Sequence, residues 1–203
     1  MPATYSPPYE SPIEDLFAYN VVKYLAEGIE LIPQVPVQTI CGRFVLDFVL
    51  RLPGVGKIGI ECDGRDFHDE SRDEWRDAMI LGAGSVDAIY RLRGCDIHHH
   101  IEDLLFLLSR LEPWVMPEWR IKYLEVLATP EVKSRLVQGL SDDIYQVRYQ
   151  TTDQERGSLR MEVRRTSVPP GQRRFWQTAY NYAQSVGGGD LDDVIASYRQ
   201  GSI

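Results

Sequence analysis

Apolar and polar positions follow two different periods along the first half of the chain. Ile13, Leu16, Phe17, Val21, Tyr24 and Leu25 recur at helical spacing. Ser11, Pro12 and Glu14 precede them as N-cap, first and third helical residues, a capping box with proline where its missing N–H costs nothing. Gly28 is the expected stop. Three strand-like runs follow. Residues 34–40 turn at Cys41 and Gly42 into residues 43–51, and Pro53-Gly54-Val55-Gly56 turns that run into residues 57–63. Residues 70–81 read as a helix ending near Gly82 and Gly84, residues 86–93 as a fourth strand, and residues 98–111 as a strongly apolar helix. The order α-β-β-β-α-β-α predicts an α/β fold with a mixed sheet and helices on its faces.

Two prolines, Pro113 and Pro117, mark the expected boundary between a domain over residues 1–112 and a smaller α+β region over 113–203. Beyond them a helix starts at Glu118, breaks at Thr129-Pro130 and resumes briefly to Leu140. Residues 144–151 and 159–166 read as a hairpin, because Leu159, Met161 and Val163 alternate with Arg160, Glu162 and Arg164. Helices over 172–186 and 191–199 flank the triglycine at 187–189.

Composition narrows the function classes. The chain of 203 residues is 43% hydrophobic and 26% charged, enough apolar material for a sizeable core. It has no apolar run of membrane-spanning length, no export signal and only three cysteines, so a membrane protein and a disulfide scaffold are both excluded. The expected location is the cytoplasm, with reduced thiols. The net charge of −8 is concentrated. Residues 61–77 alone hold eight carboxylates, while residues 114–203 are close to neutral. An acidic chain is a poor nonspecific binder of nucleic acid through overall charge. The acidic cluster is therefore either a solvated face or a metal site.

Strand alternation favours the second. In residues 43–51, Val45, Asp47 and Val49 share one face, and Phe44, Leu46, Phe48 and Leu50 the other. In residues 57–63, Gly59, Glu61 and Asp63 lie opposite Ile58, Ile60 and Cys62. The intervening turn makes the two strands neighbours, so Asp47 and Glu61 point into one space. Carboxylates set among apolar residues are costly unless paired, hydrogen-bonded or bound to a cation. Converging carboxylates suit a hard divalent cation such as magnesium.

Asp47, then Ile60-Glu61-Cys62-Asp63-Gly64, His68, Asp73, Arg76 and Asp77 together resemble the PD-(D/E)XK nuclease superfamily. The nearer likeness is to its very-short-patch repair branch, and it extends over residues 11–111. The resemblance implies a restriction-endonuclease-like αβββαβ core and a magnesium-dependent endonuclease acting on DNA, with manganese as a substitute ion. It makes Asp47 and Glu61 the metal ligands and Glu14 the supporting acid from the first helix, although the capping box alone also explains Glu14. Asp63 stands where the superfamily motif has lysine, which leaves open what neutralises the attacked phosphate. His68 is the nearest substitute as proton carrier or water-positioner. Asp73, Arg76 and Asp77 orient ligands or phosphate from the following helix, or pair among themselves and with Asp69 at helical spacing.

Cys95 with His98, His99 and His100 makes a poor zinc site, since adjacent histidines cannot converge on one point. Arg160, Arg164, Arg173 and Arg174, interleaved with Phe175, Trp176, Tyr180 and Tyr182, suit phosphate contact with base stacking, and equally a protein interface. The leading expectation is a metal-dependent DNA endonuclease serving repair, restriction or phage defence. The alternative is a nuclease-derived DNA- or protein-binding subunit of a larger assembly that no longer cuts.

Overall fold

Ser11 starts the first helix as its pattern predicts. Its Oγ accepts the Glu14 N–H at 3.2 Å and donates to Glu14 Oε1 at 2.8 Å, and the helix α1 covers Pro12–Val21. It stops well before Gly28. The Ala26 N–H bonds to the Val115 carbonyl, which draws the chain out of the helix, while Leu25 and Ile29 stay in the same core from a turn. Gly28, at φ +85°, leads instead into the first strand.

The computed structural model describes residues 4–64, 70–137, 143–151, 156–167 and 174–201. Within them the strands are β1 (Glu30–Thr39), β2 (Gly42–Leu52), β3 (Gly56–Asp63), β4 (Ala88–Arg93), β5 (Ile144–Arg148) and β6 (Ser158–Arg165). The helices after α1 are α2 (Glu70–Gly82), α3 (Gly94–His99), α4 (Ile101–Leu111), α5 (Glu118–Leu127), α6 (Pro130–Val137), α7 (Phe175–Ser185) and α8 (Leu191–Gly201). The apolar helix expected over 98–111 is thus two, parted at His100, whose φ of −135° is not helical. No helix among the described residues is long and apolar enough to cross a membrane.

The protein is α/β, with one six-stranded mixed sheet in the order β1-β2-β3-β4-β6-β5. β1, β2 and β3 form an antiparallel meander, and α2 carries the chain over to β4, which lies parallel to β3. The hairpin β5–β6 joins the same sheet, since β6 pairs antiparallel with β4. One face packs Phe48, Leu50, Ile60, Tyr90, Leu92 and Met161 against α1 and α4. The other carries Val49 and Ile89 beneath Ile80 and Leu81 of α2, and α7 and α8 close over Trp75 and Met79 of the same helix.

Gly82 of α2 lies against Tyr180 of α7, and a Cβ there would come within 2.1 Å of the ring. Gly82→Ala should therefore cost about 1–3 kcal/mol, the usual range for overpacking, in spite of alanine's better helix propensity. Urea denaturation measures this, and a neutral or stabilised variant would contradict so tight a packing.

Candidate active site

Strict alternation fails in β2, and it fails at Asp47. Phe48 and Leu50 face α1 and α4, but Phe44 and Leu46 turn to the α2 side with Val49. The expectation that all four share a face is corrected. The neighbouring strand is irregular at the same level. Gln34 of β1 sits at φ +50°, in the left-handed region, and the β1–β2 register is interrupted between Pro33–Phe48 and Val35–Leu46. A non-glycine residue in that conformation twists its strand sharply, and β2 follows its partner.

The β2–β3 ladder also ends here. Its last pair is Phe48–Ile60, and one step further Asp47 stands level with Glu61. Asp47 Oδ2 accepts the Cys62 N–H at 2.7 Å, replacing the lost strand partner. Cys62 itself lies in the apolar core, as its alternation predicts. Asp47 and Glu61 are thus brought together at the mouth where the strands part. Burial pushes the Asp47 carboxyl up to about 6; the Cys62 N–H opposes this, and the negative potential of Glu14 and Asp63 adds to it. Burial pushes Glu61 up to about 8, against the pull of Arg76 and with help from Asp47.

Glu14 contributes its charge to this space from α1. One of its oxygens holds Ser11 Oγ, and the other accepts Gln34 Nε2 at 2.9 Å. The expected cap is present, and the charge of Glu14 also raises the Asp47 carboxyl. Asp63, at the end of β3, accepts Arg91 Nη1 at 2.9 Å. His68 and Asp69 lie outside the described residues.

The helix α2 contributes Asp73, Arg76 and Asp77, and these reach across to the sheet. Arg76 Nη2 donates to Glu61 Oε1 at 2.9 Å and also to the Val45 carbonyl. Asp77, wholly buried, takes a two-pronged bond from Arg91, at 2.8 Å from Nε and 3.0 Å from Nη2. Asp73 lies 3.6 Å from Arg91 Nη1. Arg91 is the residue that sequence reasoning missed. Its signal was available in β4, where Ile89, Arg91 and Arg93 alternate onto one face. The parallel register places Arg91 beside Glu61, and the antiparallel one places it beside Glu162.

The arginines expected to grip DNA carry acids of their own chain. Arg164 bonds Asp77 at 2.6 Å and Glu162 at 3.0 Å, Arg160 bonds Glu162 at 2.8 Å, and Arg174 bonds Asp143 at 2.7 Å. Arg173 lies outside the described residues. A cleft of about 550 Å³ opens at the carboxyl ends of β3 and β4, with Asp63, Asp73, Arg91, Arg93, Arg160 and Arg164 in its wall. Such ends are where open α/β sheets commonly hold ligands.

Among the described residues no group of three or more His, Cys, Asp or Glu side chains is arranged to hold a metal ion. His100 of the histidine triplet stacks on Tyr149 with ring centroids 4.3 Å apart. The test for magnesium is less demanding, since that ion keeps several waters and takes one or two carboxylates plus substrate phosphate. Asp47 and Glu61 meet it. Oδ1 of Asp47 and Oε2 of Glu61 accept no hydrogen bond from any described residue, so each acid keeps an oxygen for a cation. Comparison of the chain with protein-family models, with curated proteins and with solved structures found no match.

Proposed function

We propose that the chain is a metal-dependent endonuclease that hydrolyses DNA phosphodiester bonds, with Asp47 and Glu61 as its magnesium ligands. The observation that carries this reading is the pair of carboxylates, buried Glu61 and half-buried Asp47, level with each other where the β2–β3 ladder opens, each with its pKa raised and one oxygen that accepts no hydrogen bond from a described residue. Their mutual repulsion is a standing cost that a divalent cation offsets. The α-β-β-β-α-β order, with β3 and β4 parallel, supports a restriction-endonuclease-like core. Asp47 and Glu61 would hold the cation, which would supply polarisation of the scissile phosphate and a lowered pKa for the attacking water. The Cys62 N–H orients Asp47, Arg76 orients Glu61, and Arg91 holds Asp63 at the cleft mouth. Glu14 adds negative potential that favours a cation over a bare anion. His68 is assigned the proton transfer.

The test is nicking of supercoiled plasmid by the purified chain in magnesium or manganese against EDTA. Relaxed or linear product is expected with metal, and none in EDTA. An intact plasmid under all metal conditions, with folded protein, overturns the reading.

One observation favours the second reading, a nuclease-derived subunit that no longer cuts. Arg160, Arg164 and Arg174 are engaged with Glu162, Asp77 and Asp143, and little of that charge is left for a polyanion. Under this reading the plasmid stays intact, and replacing these arginines leaves the salt dependence of DNA affinity unchanged rather than reducing its slope by about 0.9 per lost phosphate contact.

A further inference from the structure

Arg76 projects from α2 onto the point where β2 and β3 part. A single nitrogen, Nη2, donates to Glu61 Oε1 on β3 and to the carbonyl of Val45, two residues before Asp47 on β2. The contact is largely closed to water, with 15% of the Arg76 side chain and 7% of the Glu61 side chain exposed. The space between the two acid-bearing strands therefore already contains a cation that belongs to the chain. A buried carboxylate requires a counter-charge. Glu61 has two possible sources, the guanidinium that touches it and a divalent ion from solution. Both are drawn by the same carboxylate, and two cations at hydrogen-bond distance repel each other strongly where the dielectric is low.

We propose that Arg76 is the resident counter-cation of this site: its guanidinium holds Glu61 when no metal is bound and competes with a divalent cation for that carboxylate. This rests on the reading of Asp47 and Glu61 as metal ligands. Arg76 is on this account a positioning residue that sets metal affinity and keeps the strands joined in the metal-free protein. A guanidinium that yields Glu61 needs another anion, and a phosphate accompanying the cation provides one. Metal and substrate then bind with mutual help, and the positive charge absent at Asp63 reaches the site from the helix.

The test measures Mn2+ binding by calorimetry, and the Mn2+-dependent rise in Tm, for wild type, Arg76→Gln, Arg76→Lys and Glu61→Gln in alkaline buffer. Glutamine removes the charge and keeps a neutral N–H donor on a shorter side chain. Arg76→Gln is expected to melt lower than wild type in EDTA, to bind Mn2+ at least about tenfold more tightly, and to gain more in Tm on adding it. Arg76→Lys, which keeps the charge, should stay near the wild-type affinity. A purely structural role would weaken metal binding in both variants. Should Arg76→Gln be unfolded in EDTA, recovery of its fold on adding Mn2+ supports the competition, and failure to recover overturns it. If wild type binds Mn2+ and Arg76→Gln binds it no more tightly, the role of Arg76 is wrong and the metal site stands. If wild type and Glu61→Gln are equally indifferent to Mn2+, the metal-dependent reading itself fails.

Discussion

Glu61→Gln and Asp47→Asn are each expected to remove metal-dependent cleavage, by about a thousandfold or more, and to leave a folded protein. A metal ligand supports several kcal/mol of transition-state charge stabilisation, and each 1.36 kcal/mol is about tenfold in rate. Folding is preserved because both amides keep the main contact of the acid they replace. Asparagine still accepts the Cys62 N–H, and glutamine still accepts from Arg76. The same substitutions change how stability responds to pH. Both folded-state pKa values are raised, to about 8 for Glu61 and about 6 for Asp47, above unfolded values near 4. Between the unfolded and folded pKa the native state binds more protons than the unfolded one, so stability falls as pH rises through that window. In EDTA the contribution of these two acids to wild-type stability should therefore decline from about pH 4 to about pH 8, the window between their unfolded and folded values. Glu61→Gln should flatten most of that decline, and Asp47→Asn only the part below about pH 6. Magnesium should stabilise the wild type most at the alkaline end, where the acids are ionised. A folded Glu61→Gln protein that cuts at the wild-type rate removes Glu61 from the site.

What the sequence made legible was set by local chemistry. The Ser11 cap, the turns at Cys41-Gly42 and at Pro53 to Gly56, and the alternation of Leu159, Met161 and Val163 each depend on residues a few positions apart. These sufficed for the element order and for the placing of Asp47 beside Glu61. Three features escaped because they depend on chain far away in sequence. Past the end of α1 at Val21, the chain is held by the bond from Ala26 to Val115. The break in β2 alternation coincides with the left-handed backbone of Gln34 in the adjacent strand. The partners of Asp77 come from β4 and from β6, and nothing near Asp77 in the sequence announces them. A helical Asp73–Arg76–Asp77 triplet looks self-sufficient by spacing alone, whereas the folded sheet provides closer partners with matching geometry. For the arginines of residues 160–174, Glu162 is visible beside Arg160 and Arg164 in the sequence, whereas Asp77 and Asp143 come from distant chain.

Arg91→Met is expected to produce the largest loss of stability of any single substitution considered. Arg91 lies buried on the α2 side of the sheet, with Asp77 gripped by two of its nitrogens and Asp63 bonded to the third. Asp73 approaches the same nitrogen, and Glu61 and Glu162 flank Arg91 in the neighbouring strands. Methionine fills much of the volume, so the effect is electrostatic rather than a cavity. Without the guanidinium, buried Asp77 keeps among the described residues the bond from Arg164 and the more distant charge of Arg76. Removing one partner of a buried ion pair costs about 3–5 kcal/mol, a large share of the about 5–15 kcal/mol that holds a typical domain together. Urea denaturation near neutral pH should show that loss, whereas Arg51→Met, which breaks an exposed pair with Glu30, should cost about 1 kcal/mol at most. Arg91→Lys should recover only part of the deficit, because an ammonium cannot reproduce the two-pronged grip on Asp77. Adding Asp77→Asn to Arg91→Met should cost less than the sum of the two single losses, since the second substitution removes the charge that the first leaves stranded. Additive losses, or a penalty for Arg91→Met no larger than that for Arg51→Met, would mean that the charged row across β3, β4 and β6 contributes shape alone and that Arg91 does not anchor the acids around it.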